Sequence, residues 1–358
     1  MTGRSMKTII LAGSGHAHLE ILKALSIEET TTNRFVLISP NPQTYYSGLI
    51  PRLIMGEINV SDLTIESAQY AKRKGVQYIQ DSVRTFDPSS HSIMLESGST
   101  QTFDILSLNT GAQPAEIPTL APFNTVYLKP FPTFIDKWRE VQRICSACTN
   151  PRFIVVGGGS AAVEVATALR VRLDRNQARR SEVHLVSKSG RLCESYSEEI
   201  SAAIHRSLLK NRVDVHLNEL VSEIQEKFIV LKNGERLDFD TIFIATPSVT
   251  TEPRKVDQYL RLSPDVYAAG DNASLDAYPD LPKSGVIAVH QGRYLAKAIR
   301  EILNGGSPKP FRPTTNQLNI LISGSKSARL IWGNRSFEGR LALEIKNRID
   351  SKYMNGFN

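Results

Sequence analysis

The stretch TIILAGSGHAHLE, residues Thr8–Glu20, decides the fold of this chain. Its apolar start predicts a buried strand, its glycines predict a tight turn, and the remainder predicts the start of a helix. Such a unit presents free backbone N–H groups and the positive end of a helix dipole to a dinucleotide pyrophosphate. Gly13 permits the turn and Gly15 the close approach of phosphate, but the third small position holds His18. Because of that departure, the stretch is a weak signal by itself.

A second stretch, FIVVGGGSAAVE (Phe153–Glu164), has the same plan and carries the third small residue, Ala162. The segments that follow the two stretches are also alike. A glycine, an aspartate and a threonine recur with identical spacing, as Gly98, Asp104 and Thr110 in the first half and Gly234, Asp240 and Thr246 in the second. Each half is therefore predicted to contain a glycine-turn βαβ unit, a small β-meander and a strand that ends in threonine. A repeat this long indicates duplicated domains.

Composition narrows the class of protein. The chain has 358 residues, 41% hydrophobic content and a formal net charge of +7, which suits a large core and an anionic ligand or surface. No basic tract with interleaved aromatics occurs, so no nucleic acid is expected as a partner. The basic run Arg170–Arg180 is interpreted as a solvated helix end. Three cysteines and no apolar run of spanning length predict a cytoplasmic protein.

The remaining elements complete an α/β fold. A helix is predicted over Asp136–Ala147, and the later strand that ends in Gly270 delivers Asp271. A long helix over Val286–Leu303 and a basic amphipathic helix over Arg340–Tyr353 follow. The last helix is interpreted as a docked face or a homodimer contact, with peripheral contact to the inner face of a membrane as the alternative.

The two glycine stretches, the Asn109-Thr110-Gly111 strand end and Ala268-Ala269-Gly270-Asp271 together resemble the pyridine nucleotide-disulfide oxidoreductase superfamily. That superfamily includes type II NADH dehydrogenases and sulfide:quinone reductases. Tyr46–Pro51, Pro282–Gly285 and Phe337–Asp350 resemble its NADH-dehydrogenase-like branch associated with selenide water dikinase. The resemblance implies two Rossmann-like domains, the second inserted in the first. Residues 1–117 and 249–310 would bind FAD, residues 118–248 would bind NAD(P)H, and residues 311–358 would form a small C-terminal α+β interface domain.

Site residues are carried over from the resemblance by position. The FAD site would comprise Gly13, Gly15, His16, Ala17, Ser39, Val83, Thr110, Gly111, Gly270, Asp271, Lys283 and Val286. The NAD(P)H site would comprise Gly157, Gly159, Ser160, Glu164 and Lys188. The second strand of the second half ends without an acidic residue to hold a ribose 2′-hydroxyl, and Lys188 and Arg191 follow it. We therefore expect NADPH in preference to NADH.

The predicted function is an FAD-dependent oxidoreductase that passes electrons from NAD(P)H through FAD to a small-molecule acceptor, either a quinone or a sulfur or selenium compound. Val286 and His290 occupy the places of the paired glutamines of type II NADH dehydrogenases, which leaves quinone open. One alternative is a dithiol–disulfide reductase that uses Cys145 and Cys148, and another is a redox-sensing flavoprotein similar to apoptosis-inducing factor. The hydride step requires no side-chain nucleophile, so no catalytic residue is assigned, and no metal is expected.

Overall fold

The structure, a computed structural model, describes residues 5–111, 113–114, 124–178, 180–246, 248–249, 254–279, 281–314 and 317–357. The predicted boundary between residues 117 and 118 lies outside this part of the chain. The division into domains at that point therefore stays a prediction.

The first part of the chain forms a unit of alternating strands and helices followed by a meander. Its elements are β1 (Thr8–Ala12), α1 (His16–Ala24), α2 (Ile27–Thr32), β2 (Arg34–Ile38), β3 (Thr44–Tyr45), α3 (Ile50–Met55), α4 (Val60–Leu63), β4 (Thr64–Ile65), α5 (Ser67–Arg73), β5 (Gln77–Ile79), β6 (Val83–Asp87), β7 (Ser92–Leu95), β8 (Thr100–Thr102), β9 (Ile105–Leu108) and β10 (Gln113–Pro114).

The second part starts with an additional strand and helix and then repeats the strand, helix and strand of the glycine turn and the meander. Its elements are β11 (Thr125–Tyr127), α6 (Phe131–Ala147), β12 (Arg152–Val156), α7 (Ser160–Arg175), β13 (Glu182–Val186), α8 (Glu198–Lys210), β14 (Asp214–His216), β15 (Val221–Ile224), β16 (Phe228–Leu231), β17 (Arg236–Asp238), β18 (Thr241–Ile244) and β19 (Ser248–Val249).

The chain then returns to the first unit and ends in a hairpin and a helix. These elements are β20 (Arg254–Val256), β21 (Arg261–Ser263), β22 (Val266–Ala268), β23 (Ala273–Leu275), α9 (Gly285–Leu303), β24 (Leu318–Gly324), β25 (Ser327–Trp332), β26 (Arg335–Gly339) and α10 (Arg340–Asn355).

Two parallel sheets carry the fold. The first has the strand order β21-β22-β9-β1-β2-β5 and is parallel except for the edge strand β21. The second has the order β11-β18-β12-β13-β14 and is parallel throughout. Each unit also has an antiparallel meander, β6-β7-β8 in one and β15-β16-β17 in the other. The neighbours of β1 in the first sheet thus match those of β12 in the second, which confirms the predicted α/β fold with two alike nucleotide-binding units.

Helix α7 lies where the three parts of the molecule meet. Its apolar residues share one core with α3 of the first unit and with Leu321 and Ile322 of β24. A separate core surrounds β1, α1 and β22, and a smaller one lies under the second meander. The C-terminal α+β segment is therefore packed against both nucleotide-binding units.

Some predicted details differ from the structure. Helix α6 begins at Phe131 instead of Asp136, because Pro132 is tolerated in the first turn of a helix. The first helix, which the sequence predicts to run to about Ser26, ends at Ala24, and Ser26 caps the next helix. Arg170 is 2% exposed, not solvated as expected, and donates to the Ser181 carbonyl at 2.7 Å. Among the described helices, none is both long and apolar enough to cross a bilayer.

Candidate cofactor sites

The first glycine turn can be formed only without side chains. Gly13 has φ +96°, and a Cβ there would lie 2.2 Å from the Asn109 carbonyl oxygen. A Cβ at Gly15 would lie 1.9 Å from the Asn109 side-chain oxygen. Gly15 also begins α1 without a side-chain cap, so the first N–H groups of the helix, from His16 and Ala17 onward, have no side-chain acceptor at that cap. This arrangement fits an anionic group at the turn.

His18 explains the departure from the glycine pattern. Its side chain is fully buried, with Nδ1 2.6 Å from the Gly13 carbonyl and Nε2 2.8 Å from the Ser107 hydroxyl. Nδ1 therefore donates to Gly13, and Nε2 accepts from Ser107. Burial lowers the pKa of His18 to about 4, so the ring is neutral at physiological pH. The imidazole supports the turn from below and binds no ligand.

Asn109 joins three chain segments behind the turn. Its side-chain nitrogen donates to the Ala269 carbonyl at 2.8 Å, and its side-chain oxygen is buried without a hydrogen-bond partner. Gly270 has φ +75°, and its N–H donates to the Gln291 side chain at 2.7 Å. The Asn109 oxygen is an acceptor, so it would pair with a donor such as a ligand hydroxyl and not with a phosphate oxygen.

The other residues predicted for the FAD site include Ser39, Val83, Thr110 and Gly111. Ser39 follows β2 and is 3% exposed, with its hydroxyl 3.0 Å from the Ser14 hydroxyl. Val83 begins the first meander. The Thr110 hydroxyl accepts from Asn272 at 2.8 Å, and Gly111 has φ +79° with open space beside it. These residues follow strands of the first sheet, although Ser39 already uses its hydroxyl within the protein.

Charged groups collect where α1 and α9 begin. Asp271, directly after Gly270, pairs with Lys129, which the sequence analysis did not identify. Lys283 donates to the Ala273 carbonyl, and burial lowers its pKa. Burial likewise lowers the pKa of His16 to about 4, which makes that ring neutral. Gly285, next to Val286, lies beside His16, since a Cβ there would be 3.5 Å from the imidazole.

The second glycine turn has the same form as the first. Gly157 has φ +142°, and a Cβ there would lie 2.6 Å from the Ala245 carbonyl oxygen. Gly159 begins α7 without a side-chain cap, and a Cβ there would meet no atom within 4 Å. The Ser160 hydroxyl is 3.8 Å from the thiol of Cys193. A second uncapped helix N-terminus therefore opens onto free space at the carboxyl edge of the second sheet.

The loop after β13 contains features that the sequence did not reveal. Cys193 is buried, has φ +51° and donates its N–H to the Gly158 carbonyl at 2.7 Å. Burial raises the pKa of this thiol to about 11. Arg191, expected to be available to a ligand, instead donates to the carbonyls of Tyr196 at 2.9 Å and Glu194 at 3.0 Å. Lys188 is exposed and makes no hydrogen bond or ion pair within the described residues.

Glu164 lies at the contact of α7 with the C-terminal segment. Its carboxylate accepts from the Ile322 N–H at 2.8 Å, and burial raises its pKa, opposed by the charge of Lys346. Lys346 is 3.4 Å from Asp350 and donates to the Gly48 carbonyl at 3.1 Å. The hydroxyl of Tyr46 donates to Asp350 at 2.8 Å. Hydrogen bonds from Tyr46 and to Gly48 thus join the Tyr46–Pro51 segment to α10 beside Glu164.

The remaining candidate residues lie elsewhere. Cys145 is buried in α6, Cys148 ends that helix, and both are free thiols. Since β12 starts at Arg152 and Gly157 follows its other end, the cysteines lie at the opposite edge of the sheet from the glycine turn. That placement does not support their use in a dithiol–disulfide reaction. In the part of the chain that the structure describes, no cluster of potential ligands could hold a metal ion.

Comparison with known proteins agrees with this geometry. The pyridine nucleotide-disulphide oxidoreductase family matches residues 7–292. Ferroptosis suppressor protein 1 of Taeniopygia guttata is 22% identical over 97% of this chain and 93% of its own length. Type II NADH:quinone oxidoreductase of Staphylococcus epidermidis is 21% identical over 97% and 94%.

Solved structures show the same fold. The sulfide:quinone oxidoreductase of Aquifex aeolicus has a TM-score of 0.81 at 16% identity, covering 98% of this chain and 92% of that one. NDH2 of Plasmodium falciparum, in complex with NADH, has a TM-score of 0.81 at 14% identity, covering 99% and 100%. With a family match over most of its length and two glycine cradles on two alike sheets, this chain belongs to the pyridine nucleotide-disulphide oxidoreductase family and is an FAD-dependent NAD(P)H oxidoreductase.

Proposed function

We propose that FAD binds at the first cradle and NAD(P)H at the second, so that the enzyme passes electrons from NAD(P)H to a small-molecule acceptor. When bound, FAD supplies the chemistry that accepts a hydride from NAD(P)H and releases two electrons to the acceptor. The observation that carries the proposal is the pair of uncapped helix N-termini, at Gly15 and Gly159, on sheets of the same strand order. Two such sites provide for two dinucleotides in one chain.

The residues that would hold FAD surround the first turn. The α1 terminus would bind the pyrophosphate, Asp271 would bind the ribityl–phosphate region, and the α9 terminus would face the flavin ring. The full proposed set is Gly13, Gly15, His16, Ala17, Ser39, Val83, Thr110, Gly111, Gly270, Asp271, Lys283 and Val286. Support comes from the N-terminus of α1, which has no side-chain cap, and from the open space beside Gly111.

For NAD(P)H we propose Gly157, Gly159, Ser160, Glu164 and Lys188. The open space beside Gly159 is where the pyrophosphate would approach α7. Glu164 would face the nicotinamide side, where burial raises the pKa of its carboxyl group above the ordinary value. We also propose a preference for NADPH, because exposed Lys188 follows β13 where an acidic residue would select NADH. Arg191 does not support that preference, because its guanidinium donates to backbone carbonyls of its own loop.

For the acceptor we propose a quinone. Curated and structural relatives are named as NADH:quinone and sulfide:quinone oxidoreductases. A sulfur or selenium compound is the competing acceptor class. Steady-state assays with ubiquinone, menaquinone, polysulfide and selenite distinguish the two, and a higher kcat/KM with the chalcogen compounds would refute the quinone assignment.

We propose that the C-terminal segment contacts the surface of an anionic bilayer. Trp332, Phe337 and Leu341 expose 63%, 53% and 59% of their area, and Arg335 and Arg340 lie beside them in sequence. Aromatic and basic side chains together suit the lipid–water interface. Cosedimentation with anionic liposomes, but not with neutral ones, is the expected result. A homodimer formed through this face, with no lipid binding, would contradict the proposal.

The decisive experiment is a visible spectrum of the purified protein in an anaerobic cuvette. We expect a flavin spectrum that bleaches on addition of NADPH, and less readily with NADH. A protein that binds no added FAD would refute the proposal. A flavin that bleaches but supports no turnover with any acceptor would instead favour the redox-sensing alternative.

A further inference from the structure

Lys129 connects the two nucleotide-binding units. Its ammonium group pairs with the carboxylate of Asp271, which is 142 residues away in the sequence. The Lys129 side chain is 37% exposed and that of Asp271 is 17% exposed, so the ion pair is partly buried. No motif in the sequence pointed to this lysine.

The position of the pair follows from the two sheets. Lys129 comes after β11, whose carboxyl end is extended by a hydrogen bond of 3.2 Å from the Leu128 N–H to Ile244. Asp271 comes after β22, at the carboxyl edge of the first sheet. Ligands of open parallel sheets bind outside the carboxyl ends of the strands. The ion pair therefore lies between the two proposed cofactor sites.

The charges around the pair do not cancel. His16 is neutral because burial holds its pKa at about 4. Lys283 lies near enough for Asp271 to raise its pKa, although burial lowers that pKa by more. Two lysines thus accompany one carboxylate, next to the N-termini of α1 and α9, which add partial positive charge. The junction of the two sites has a positive balance, to which Lys129 contributes one unit charge.

We propose that Lys129 is a positioning residue for the redox reaction, which holds Asp271 in place and keeps a cation at the junction of the flavin and nicotinamide sites. The inference rests on the proposed function. Transfer of a hydride from NAD(P)H to neutral flavin gives NAD(P)⁺ and adds two electrons, one proton and hence one negative charge to the flavin. A cation at this place favours the reduced flavin, so its removal should lower the reduction potential.

The magnitude can be bounded with Coulomb's law. At an effective dielectric constant of ~20, one unit charge acting over ~10 Å changes an equilibrium by roughly tenfold. For a two-electron couple, a tenfold change corresponds to about 30 mV. The direction is a lower potential for the variant that lacks the charge.

The test compares Lys129→Met, Lys129→Arg and the matched control Lys232→Met, an exposed lysine in the second meander. The readouts on the flavin-loaded proteins are FAD stoichiometry and the midpoint potential, from dye-coupled redox titration. We expect Lys129→Met to lower the potential by about 30 mV, whereas Lys129→Arg and Lys232→Met retain the wild-type value.

The results for Lys129→Met and Lys129→Arg distinguish a requirement for charge from a structural role. Loss of FAD from Lys129→Met but not from Lys129→Arg also supports the requirement for the charge. Equal loss from both variants, or an unchanged potential in flavin-loaded Lys129→Met, overturns the inference while the proposed function stands. A wild-type protein that binds no FAD overturns the proposed function itself, and this inference with it.

Discussion

Replacing Gly159 with alanine should weaken NAD(P)H binding and leave the fold intact. Gly159 has φ −86°, which any residue adopts, and an added Cβ meets no protein atom within 4 Å. The change in the free energy of unfolding should stay within ~1 kcal/mol, because the loss of a favourable cap residue is offset by the lower entropy of the unfolded chain.

The effect on binding can be worked out from the same geometry. The Cβ would enter the space where the pyrophosphate approaches the α7 N-terminus and should cost at least one charge-assisted hydrogen bond. Such a bond contributes ~1.5–3 kcal/mol, so Kd for NAD(P)H should rise by about 10- to 150-fold. FAD content should not change, because the first cradle is untouched.

The assay combines thermal unfolding with anaerobic titration of the flavin by NAD(P)H. Gly157→Ala serves as the contrasting variant, since φ +142° and a Cβ 2.6 Å from the Ala245 carbonyl oxygen should destabilise the fold itself. If Gly159→Ala melts like wild type and binds NAD(P)H equally well, the second cradle is not the nicotinamide site.

Three further variants test other parts of the molecule. The pKa of His18 is about 4 in the folded state and 6.5 in the unfolded chain, so the unfolded chain binds more protons between these two pH values. The free energy of unfolding should therefore fall as the pH drops from 6.5 to 4, by up to ~1.4 kcal/mol per pH unit. Urea unfolding at several pH values should give a smaller slope for His18→Asn, and an equal slope contradicts the assignment. Lys188→Ala should raise KM for NADPH by up to ~5-fold with no change for NADH, and equal effects on the two donors would count against the proposed preference. The double Cys145→Ser, Cys148→Ser variant should keep wild-type turnover, whereas loss of turnover with FAD still bound would revive the dithiol reaction.

Much of the fold was predictable because its signals are local. A glycine turn between an apolar strand and a helix depends on residues adjacent in the chain, and the repeated spacing of Gly98, Asp104 and Thr110 marks the same succession of elements twice. The same local reading misjudged Arg170, because a basic residue in a basic run looks solvated until the chain after α7 folds back and brings the Ser181 carbonyl to it.

Some features of the cofactor sites were likewise predictable from local sequence, and others were not. The roles of Gly13 and Gly157 follow from backbone conformation, which the motif itself implies, although the ligands assigned to them remain proposals. His18 departs from the motif, and only the fold shows its imidazole beneath the turn, bonded to Ser107 from a distant strand. Nothing in the spacing of Cys193 indicated that its backbone would support the second turn.

The order of elements, the duplication and the two glycine turns were determined by the sequence alone, because each depends on short-range periodicity and on the conformational freedom of glycine. Only the tertiary structure decided which distant side chains meet. It paired Lys129 with Asp271, fastened Tyr46 to Asp350, and placed Cys145 and Cys148 away from the glycine turn. Such contacts arise when two sheets and a C-terminal helix pack together. Periodicity along the chain does not predict them, because it depends only on residues that are close in sequence.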